Sequence, residues 1–471
     1  MPAPQPGLMP PRPSEAAIAE VVTILSQRFG PRASVNDSVR DQHSHGEGLP
    51  TIGLPDIVVF PETNEEVAFI LATANAYKVP VVPYGAGSSL EGQLAALTGG
   101  VSVDMQRFDQ VLSVSPESMD CRVQAGVTRE ALNAHIRDTG LFFPVDPGAN
   151  ASIGGMASTR ASGTNAVRYG TMRENILGLT VVTPEGRIVR TGSRARKSSA
   201  GLDLTHLYVG SEGTLGIITE IQLKLYGVPE SIVAATCAFP DLEGAVSAVV
   251  ACLQAGLKMS RIELLDEVQI RICNAYSNLT FPETPHLFLE FAGSKSGTDE
   301  DVAFMRAIVA DHGGGDFEFA ERLEDRNRLW KARHNCYYAC MAFAPGKKNM
   351  GTDACVPISE LPQVLLDTKA DALASGLITP IVGHVGDGNF HLGIMFDEND
   401  PAEVAKAEGM AFRVARRAIA AGGTCSGEHG IGVHKIVHLE AEHGYGVDLM
   451  KQIKHTLDPN GIMNPGKVYP A

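Results

Sequence analysis

The chain is short of several things, and each shortage excludes a class of protein. Its eight cysteines among 471 residues (Cys121, Cys237, Cys252, Cys273, Cys336, Cys340, Cys355 and Cys425) are scattered and form no CxxC pair. A disulfide-stapled fold needs dense, patterned cysteines, so these read as reduced and mostly buried thiols. Basic residues are in deficit, 39 Lys and Arg against 54 Asp and Glu, for a formal net charge of -15. Nucleic-acid binding therefore has no basic footprint, and the acidic balance speaks to solubility. No apolar run reaches the roughly 18 residues that a membrane span takes. The start, MPAPQPGLMPPRP, has neither the charged-then-apolar order of a secretory signal nor the Arg- and Ser-rich pattern of a mitochondrial leader. These absences predict a cytoplasmic protein, peripheral to a membrane at most, with a Pro-rich tail through Pro13.

Glycine is in excess, 49 residues against a usual share of about 7%. With 44% hydrophobic residues the chain can fill two or three packed domains. A helix is predicted over 14–30, opened by Ser14 and stopped by Gly30. Then come a strand at 56–60, a helix at 63–77 and a strand at 79–83 that runs into glycines. Further strands are predicted at 100–104, 111–115, 121–125, 179–183, 187–190 and 217–225, with a helix at 128–140. Beyond Tyr226 the order strand, helix, strand, helix over 231–310 predicts an α+β region. One long helix is expected over 321–343, a strand near 353–358, a helix near 359–374 and a terminal helix closed by Pro and Gly.

The glycines cluster. PYGAGSSLEG (83–92) follows a predicted strand, but its GxGxxxxG spacing is not the dinucleotide fingerprint. By itself such a loop reads first as an ordinary turn and second as a nest of backbone N–H groups for a pyrophosphate. DPGANASIGGMASTRASGTNAVRYGTMRENI (146–176) and VGSEGTLGIITEIQLKL (209–225) tip the balance toward a ligand, because three glycine-rich stretches separated by strands exceed what turns require.

GHVGDGNFHLGI (383–394) carries two histidines around Asp387-Gly388. Read as the centre of a type I′ hairpin, that dipeptide makes Gly386 face Asn389, Val385 face Phe390 and His384 face His391. Cross-strand histidines are also plain surface features, so a third ligand matters. GTCSGEHGIG (423–432) offers Glu428, and His, His, Glu with an open position is the usual make-up of a catalytic divalent site for zinc or manganese. Its neighbour His429 points away along an extended backbone and reads as a general base, or as a hydrogen-bonded loop histidine.

These motifs, with the ending LDPNGIMNPGK, carry a resemblance. The chain resembles flavoproteins with the vanillyl-alcohol-oxidase type FAD domain, in the branch that holds D-lactate dehydrogenase (cytochrome), D-2-hydroxyglutarate dehydrogenase and the catalytic chain of glycolate oxidase. The likeness spans roughly 54–470, and the run ASGTNAVRYGTMR is nearest the D-lactate members. It implies an α+β chain: a two-subdomain FAD-binding domain of that (PCMH) type at 54–228 after an N-terminal tail and helix at 1–53. A substrate (cap) domain at 229–420 and a C-terminal segment at 421–471 returning to the flavin complete it.

The resemblance places FAD against Pro83, Tyr84, Gly85, Ala86, Gly87, Ser88 and Ser89; against Pro147, Gly148, Ser152, Gly154, Gly155, Ser158, Ala161, Ser162, Gly163, Val167, Tyr169 and Gly170; and against Glu212, Gly213, Gly216, Ile217 and Ile218. No His or Cys lies between 80 and 120 to tether the flavin, so FAD is expected to be non-covalent. Asn464 is a further pocket candidate, or a helix stop before proline. The implied ligands are His384, His391 and Glu428. The metal would chelate the hydroxyl and a carboxylate oxygen of a 2-hydroxy acid, His429 would take the hydroxyl proton, and hydride would pass to flavin N5. Arg333 is the carboxylate partner suggested by its family position, although Arg322, Arg326 and Arg328 share its helix and solvent-facing arginine is a competing reading. Lys347, Lys348 and Asn389 are further substrate contacts. Gly393 stands where the 2-hydroxyglutarate branch has a polar residue, which favours a monocarboxylate such as D-lactate. Implied partners are the hydroxy acid, an acceptor such as cytochrome c, a quinone or electron-transfer flavoprotein, and a second copy as a homodimer. The rivals are a glycolate oxidase catalytic chain, a D-2-hydroxyglutarate dehydrogenase, and a non-catalytic flavin or metal carrier.

Overall fold

A computed structural model describes residues 9–48, 53–320 and 322–470. Most of the expected Pro-rich tail and Glu321, the expected start of the long helix, lie outside the described residues. The chain divides into two units. One gathers Gly163–Tyr169 and Pro229–Gly427; the other holds the chain up to Ser162, Gly170–Val228 and Glu428 onward. The division departs from the expected boundaries at two places: 163–169 fold with the later stretch, and 421–427 do so as well.

Besides the two-stranded pairing of Leu141–Phe142 with Tyr226–Gly227, the glycine-rich unit contains two larger sheets, each with its own core. In the first, Ile57–Val59 and Val81–Tyr84 run parallel to Val101–Asp104 on either side, with Ala33–Ser34 at the edge. The two flanking strands run the same way, so the chain must cross over between them, and helix Asn64–Tyr77 supplies that crossover. Thr63 opens that helix by accepting from the Glu66 N–H, and its buried Val67, Ile70, Leu71 and Ala74 pack with the strand residues and with Leu25 of helix Glu15–Phe29. The second sheet is antiparallel and five-stranded, in the order Val111–Ser115, Asp120–Gln124, Ile217–Lys224, Ile176–Val182, Ile188–Arg190. A separate cluster around Val123, Leu132, Ile153, Leu179 and Ile221 supports it.

The other unit is built on one eight-stranded antiparallel sheet. Its path runs Glu318–Ala320, Ser231–Ala238, His286–Gly293, Met259–Leu265, Ile381–Gly383, Asn389–Phe396, Lys348–Gly351, with Ala354–Cys355 also on Asn389–Phe396. Phe288, Leu289 and Phe291 on the third strand are fully buried, each contributing about 1.5–3 kcal/mol by leaving water.

Four sequence expectations need correction here. The strand Met259–Leu265 and helix Glu267–Ser277 were not anticipated: Arg261 and Glu263 interrupt the apolar pattern, and a register shift between Met259 and Arg261 breaks the alternation. Helix Pro401–Ala420 was also missed, although Asp400 as its cap and Pro401 in its first turn are start signals. The long helix divides at Asn335 into Leu323–His334 and Cys336–Phe343. Finally, Asp387-Gly388 is not a type I′ turn. Val385–Asp387 forms a short 3-10 turn, only Gly388 has positive φ (+78°), and the register sets Val382, not His384, opposite His391.

Candidate active site

Within the glycine-rich unit the three glycine clusters converge. Gly87, just past the strand Val81–Tyr84, has φ +79°, and a Cβ there would lie 2.4 Å from the Tyr84 hydroxyl, so glycine alone fits. A Cβ on Gly85 would come 2.6 Å from Ser152 Oγ of the second cluster, and one on Gly213 of the third would come 2.9 Å from Pro83 Cγ. The second and third are joined by backbone bonds: Gly210 N–H donates to the Ala157 carbonyl (2.9 Å) and Glu212 N–H to that of Ser158 (2.8 Å). Pro83–Ser89, Ser152–Ser162 and Glu212–Ile218 thus assemble in one place. Ser89 Oγ is buried there with no hydrogen-bond partner among the described residues, a donor that a phosphate oxygen would satisfy. Pro147 and Gly148 precede the Ser152 cap, with open space around Gly148, and Gly170 follows at φ +74°. Gly163, Val167 and Tyr169 belong instead to the other unit, where Val167 packs close to Gly386.

Asn464 is not a helix stop, since the last helix ends at Leu457. Its N–H donates to the Val81 carbonyl (2.8 Å) and its Nδ2 to the Glu212 carbonyl (2.7 Å), which fastens the C-terminal segment to the first strand and the third glycine cluster. The Glu212 carboxylate accepts from the N–H groups of Ile431 (2.8 Å) and Gly432 (2.9 Å) and so shapes the loop that carries His429. Burial raises the Glu212 carboxyl despite those two donors. Nearby Lys467, whose ammonium donates to Asn464 Oδ1 (2.7 Å) and to the Ala95 carbonyl, is pushed by burial down to about 7.

His429 Nδ1 lies 3.3 Å from Glu91 Oε1. The same carboxylate faces His434 Nδ1 at 3.5 Å and Lys435 Nζ at 3.0 Å. Burial alone would raise Glu91, yet Lys435, His429 and His434 hold it well below the usual carboxylate range. An ionised partner at Nδ1 keeps the ring proton there and leaves the lone pair of a neutral imidazole on Nε2, the arrangement a general base requires. Glu91 was not anticipated from the sequence.

The other unit brings together His384, His391, Arg333, Asn389 and two residues that sequence reasoning missed. Although not cross-strand partners, the His384 and His391 rings lie 5.5 Å apart at 87°. His384 Nδ1 is 2.7 Å from Glu263 Oε1, and His391 Nδ1 is 3.0 Å from the Thr352 carbonyl. Arg333 is buried, unlike exposed Arg322 and Arg328 and half-buried Arg326. It meets Glu263 Oε2 through Nε (2.9 Å) and Nη2 (2.6 Å). Burial favours a neutral Glu263, but His384 and Arg333 outweigh it and hold the carboxyl below its ordinary value. Asp353, the second missed residue, accepts from Asn389 Nδ2 (2.9 Å) and Ser426 Oγ (2.9 Å) and lies 3.7 Å from His391 Nδ1. Asn389 Oδ1 is a buried acceptor with no partner among the described residues.

Lys348 is not brought to this cluster: it pairs across the sheet with Phe396, five residues past His391, and its ammonium faces Glu398 at the surface (3.6 Å). Lys347 meets Glu403 at 2.8 Å. Gly393 lies opposite Gly351, where a Cβ would come 3.2 Å from Asn349 Oδ1. All eight cysteines are free thiols and seven are buried, as the composition suggested.

Comparison with known proteins agrees with the fold and with an FAD-binding domain. Residues 55–192 match the family described as FAD binding domain, and 228–468 match FAD linked oxidases, C-terminal domain. The chain is 51% identical over 96% of its length to a probable mitochondrial D-lactate dehydrogenase of Danio rerio, covering 92% of it. It is 47% identical over 89% of its length to mitochondrial D-lactate dehydrogenase [cytochrome] of Arabidopsis thaliana, covering 74% of that protein. Among solved structures, p-cresol methylhydroxylase with substrate bound superposes at a TM-score of 0.77, with 15% identity and 98% of both chains covered. The expected α+β, vanillyl-alcohol-oxidase type fold is thereby borne out. The expectation of a cytoplasmic protein is overturned: the relatives at 51% and 47% identity are named as mitochondrial.

Proposed function

The chain belongs to the FAD-linked oxidases, and we propose that within them it oxidises a D-2-hydroxy acid, D-lactate foremost, to the 2-keto acid with the help of a divalent metal. The observation that carries the metal is the pair of imidazoles. His384 and His391 lie ring to ring, and each turns Nδ1 to an acceptor, so that the lone pairs of the neutral rings sit on Nε2. Metal-binding histidines are held in this way by carboxylates and carbonyls behind them. Glu428 is the third ligand that the resemblance implies; it directly follows Gly427, whose N–H donates to the carbonyl of Asp353, the residue beside His391. His2Glu suits zinc or manganese.

When bound, FAD supplies the hydride acceptor and the divalent ion supplies Lewis acidity toward the substrate hydroxyl. The chain's own residues do the rest. The converged glycine clusters hold FAD without a covalent link, since serines and not His or Cys stand at 88 and 89. Arg333 offers the cation for the substrate carboxylate. His429 takes the hydroxyl proton at Nε2. Relatives named for cytochrome favour a cytochrome as electron acceptor, ahead of a quinone or an electron-transfer flavoprotein. Among the described residues no helix is long and apolar enough to cross a membrane.

His429→Ala tests the assignment. The variant should keep its flavin absorbance and metal content while kcat with D-lactate falls about 100-fold or more. A variant as fast as the parent would remove His429 as base.

A further inference from the structure

Glu263 sits in the middle of the unanticipated strand Met259–Leu265 and is 1% exposed. A buried carboxylate is costly unless its oxygens are all engaged, and here the two oxygens serve two different groups. Oε1 receives the His384 Nδ1 proton at 2.7 Å; Oε2 accepts from Arg333 Nε at 2.9 Å and lies 2.6 Å from Arg333 Nη2 as an ion pair. We propose that Glu263 is a positioning residue that fixes His384 and Arg333 as one unit. A ligand at His384 and a carboxylate at Arg333 are then held at one fixed spacing. The inference rests on the reading above, in which His384 is a metal ligand and Arg333 meets the substrate carboxylate.

Three features support the coupling. The carboxylate sets the His384 tautomer, so the ligand atom is Nε2 and the ring plane cannot turn without losing a charge-assisted bond. It also takes the Nε donor of Arg333 and faces Nη2 with the same oxygen, so the guanidinium cannot turn without breaking its pairing with Glu263. Last, only a carboxylate has an acceptor for each partner. An amide of the same shape has one oxygen and one NH2. Turned toward His384, the NH2 forces the ring proton onto Nε2 and removes the ligand lone pair; turned toward Arg333, it sets donors against donors.

The test compares flavin-loaded parent, Glu263→Gln and Glu263→Asp. Affinity for zinc and for manganese is measured without substrate by competition with a chelating dye, and kcat and KM for D-lactate are measured at saturating metal. Flavin absorbance and melting temperature report on the fold. In Glu263→Gln the metal is expected to bind about 10–100-fold more weakly and KM to rise by about 10-fold or more, with kcat changing less than KM and flavin content unchanged. Glu263→Asp, which keeps the charge on a shorter arm, should fall between, and it carries the test if the glutamine variant does not load flavin. Parental metal affinity or parental KM in the variant tested overturns the coupling, because a shared tether must move both. A parent protein that binds no metal or leaves D-lactate untouched would instead sink the functional reading itself.

Discussion

Arg333 shows how much a single side chain's environment decides. Of the arginines on its segment it is the buried one, and it reaches Glu263 through two nitrogens. Arg333→Lys keeps the charge and loses the fork. It should lower kcat/KM for D-lactate by about 10–100-fold, the equivalent of roughly 1.5–3 kcal/mol of charge-assisted hydrogen bonding; an unchanged KM would show that the substrate carboxylate binds elsewhere. Lys467 makes a prediction of a different kind. Its folded-state value of about 7 lies below the roughly 10.4 of an unfolded lysine. Between these values the unfolded chain binds a proton that the folded chain lacks, so stability rises with pH across that window. Below about pH 7 the buried ammonium is charged in both states and its burial weighs fully against folding. The urea midpoint should therefore climb from pH 7 to pH 9 more steeply in the parent than in Lys467→Met, and parallel slopes would contradict the shift.

Among the elements, the loop after Val81–Tyr84 is the most demanding of its sequence. Gly87→Ala would need a left-handed residue whose Cβ meets the Tyr84 ring, and flavin occupancy, read from the ratio of visible to ultraviolet absorbance, should fall sharply. An alanine variant that purifies fully yellow would remove this loop from the cradle. The elements around this loop were legible in the sequence because each carries a local signal: Thr63 caps its helix, and VSVD at 101–104 alternates apolar and polar residues as a strand. Met259–Leu265 was not legible, for it is buried while carrying Arg261 and Glu263, and those charges become intelligible only beside Asn165, Glu290, His384 and Arg333. The histidine pair was expected on a wrong register. His384 and His391 still meet because the 3-10 turn at Val385–Asp387 brings His384 off the strand end toward His391, a geometry that no pairing rule along two regular strands contains. Glu91 and Glu263 were missed for a common reason. A carboxylate that orients a histidine from another part of the chain leaves no spacing to read.

At the scale of the whole molecule, the residues proposed for the reaction come from both units. His384, His391, Asn389 and Arg333 belong to one; most of the glycine cradle, Glu428, His429 and Asn464 belong to the other. The chain crosses from the first to the second between Gly427 and Glu428, inside a single motif. Acid denaturation should release the flavin into the supernatant, and flavin that stays with the precipitate would contradict a non-covalent cofactor. The central claim is metal-assisted oxidation of a D-2-hydroxy acid. Its most direct test is dye-linked turnover of D-lactate, L-lactate, glycolate and D-2-hydroxyglutarate by flavin-loaded protein, before chelation, after it, and after zinc or manganese is returned. The account predicts that D-lactate is the fastest of the four, that chelation abolishes its turnover while the protein stays yellow, and that added metal restores it. Turnover of none of the D-2-hydroxy acids, or D-lactate oxidation indifferent to chelation, would contradict it.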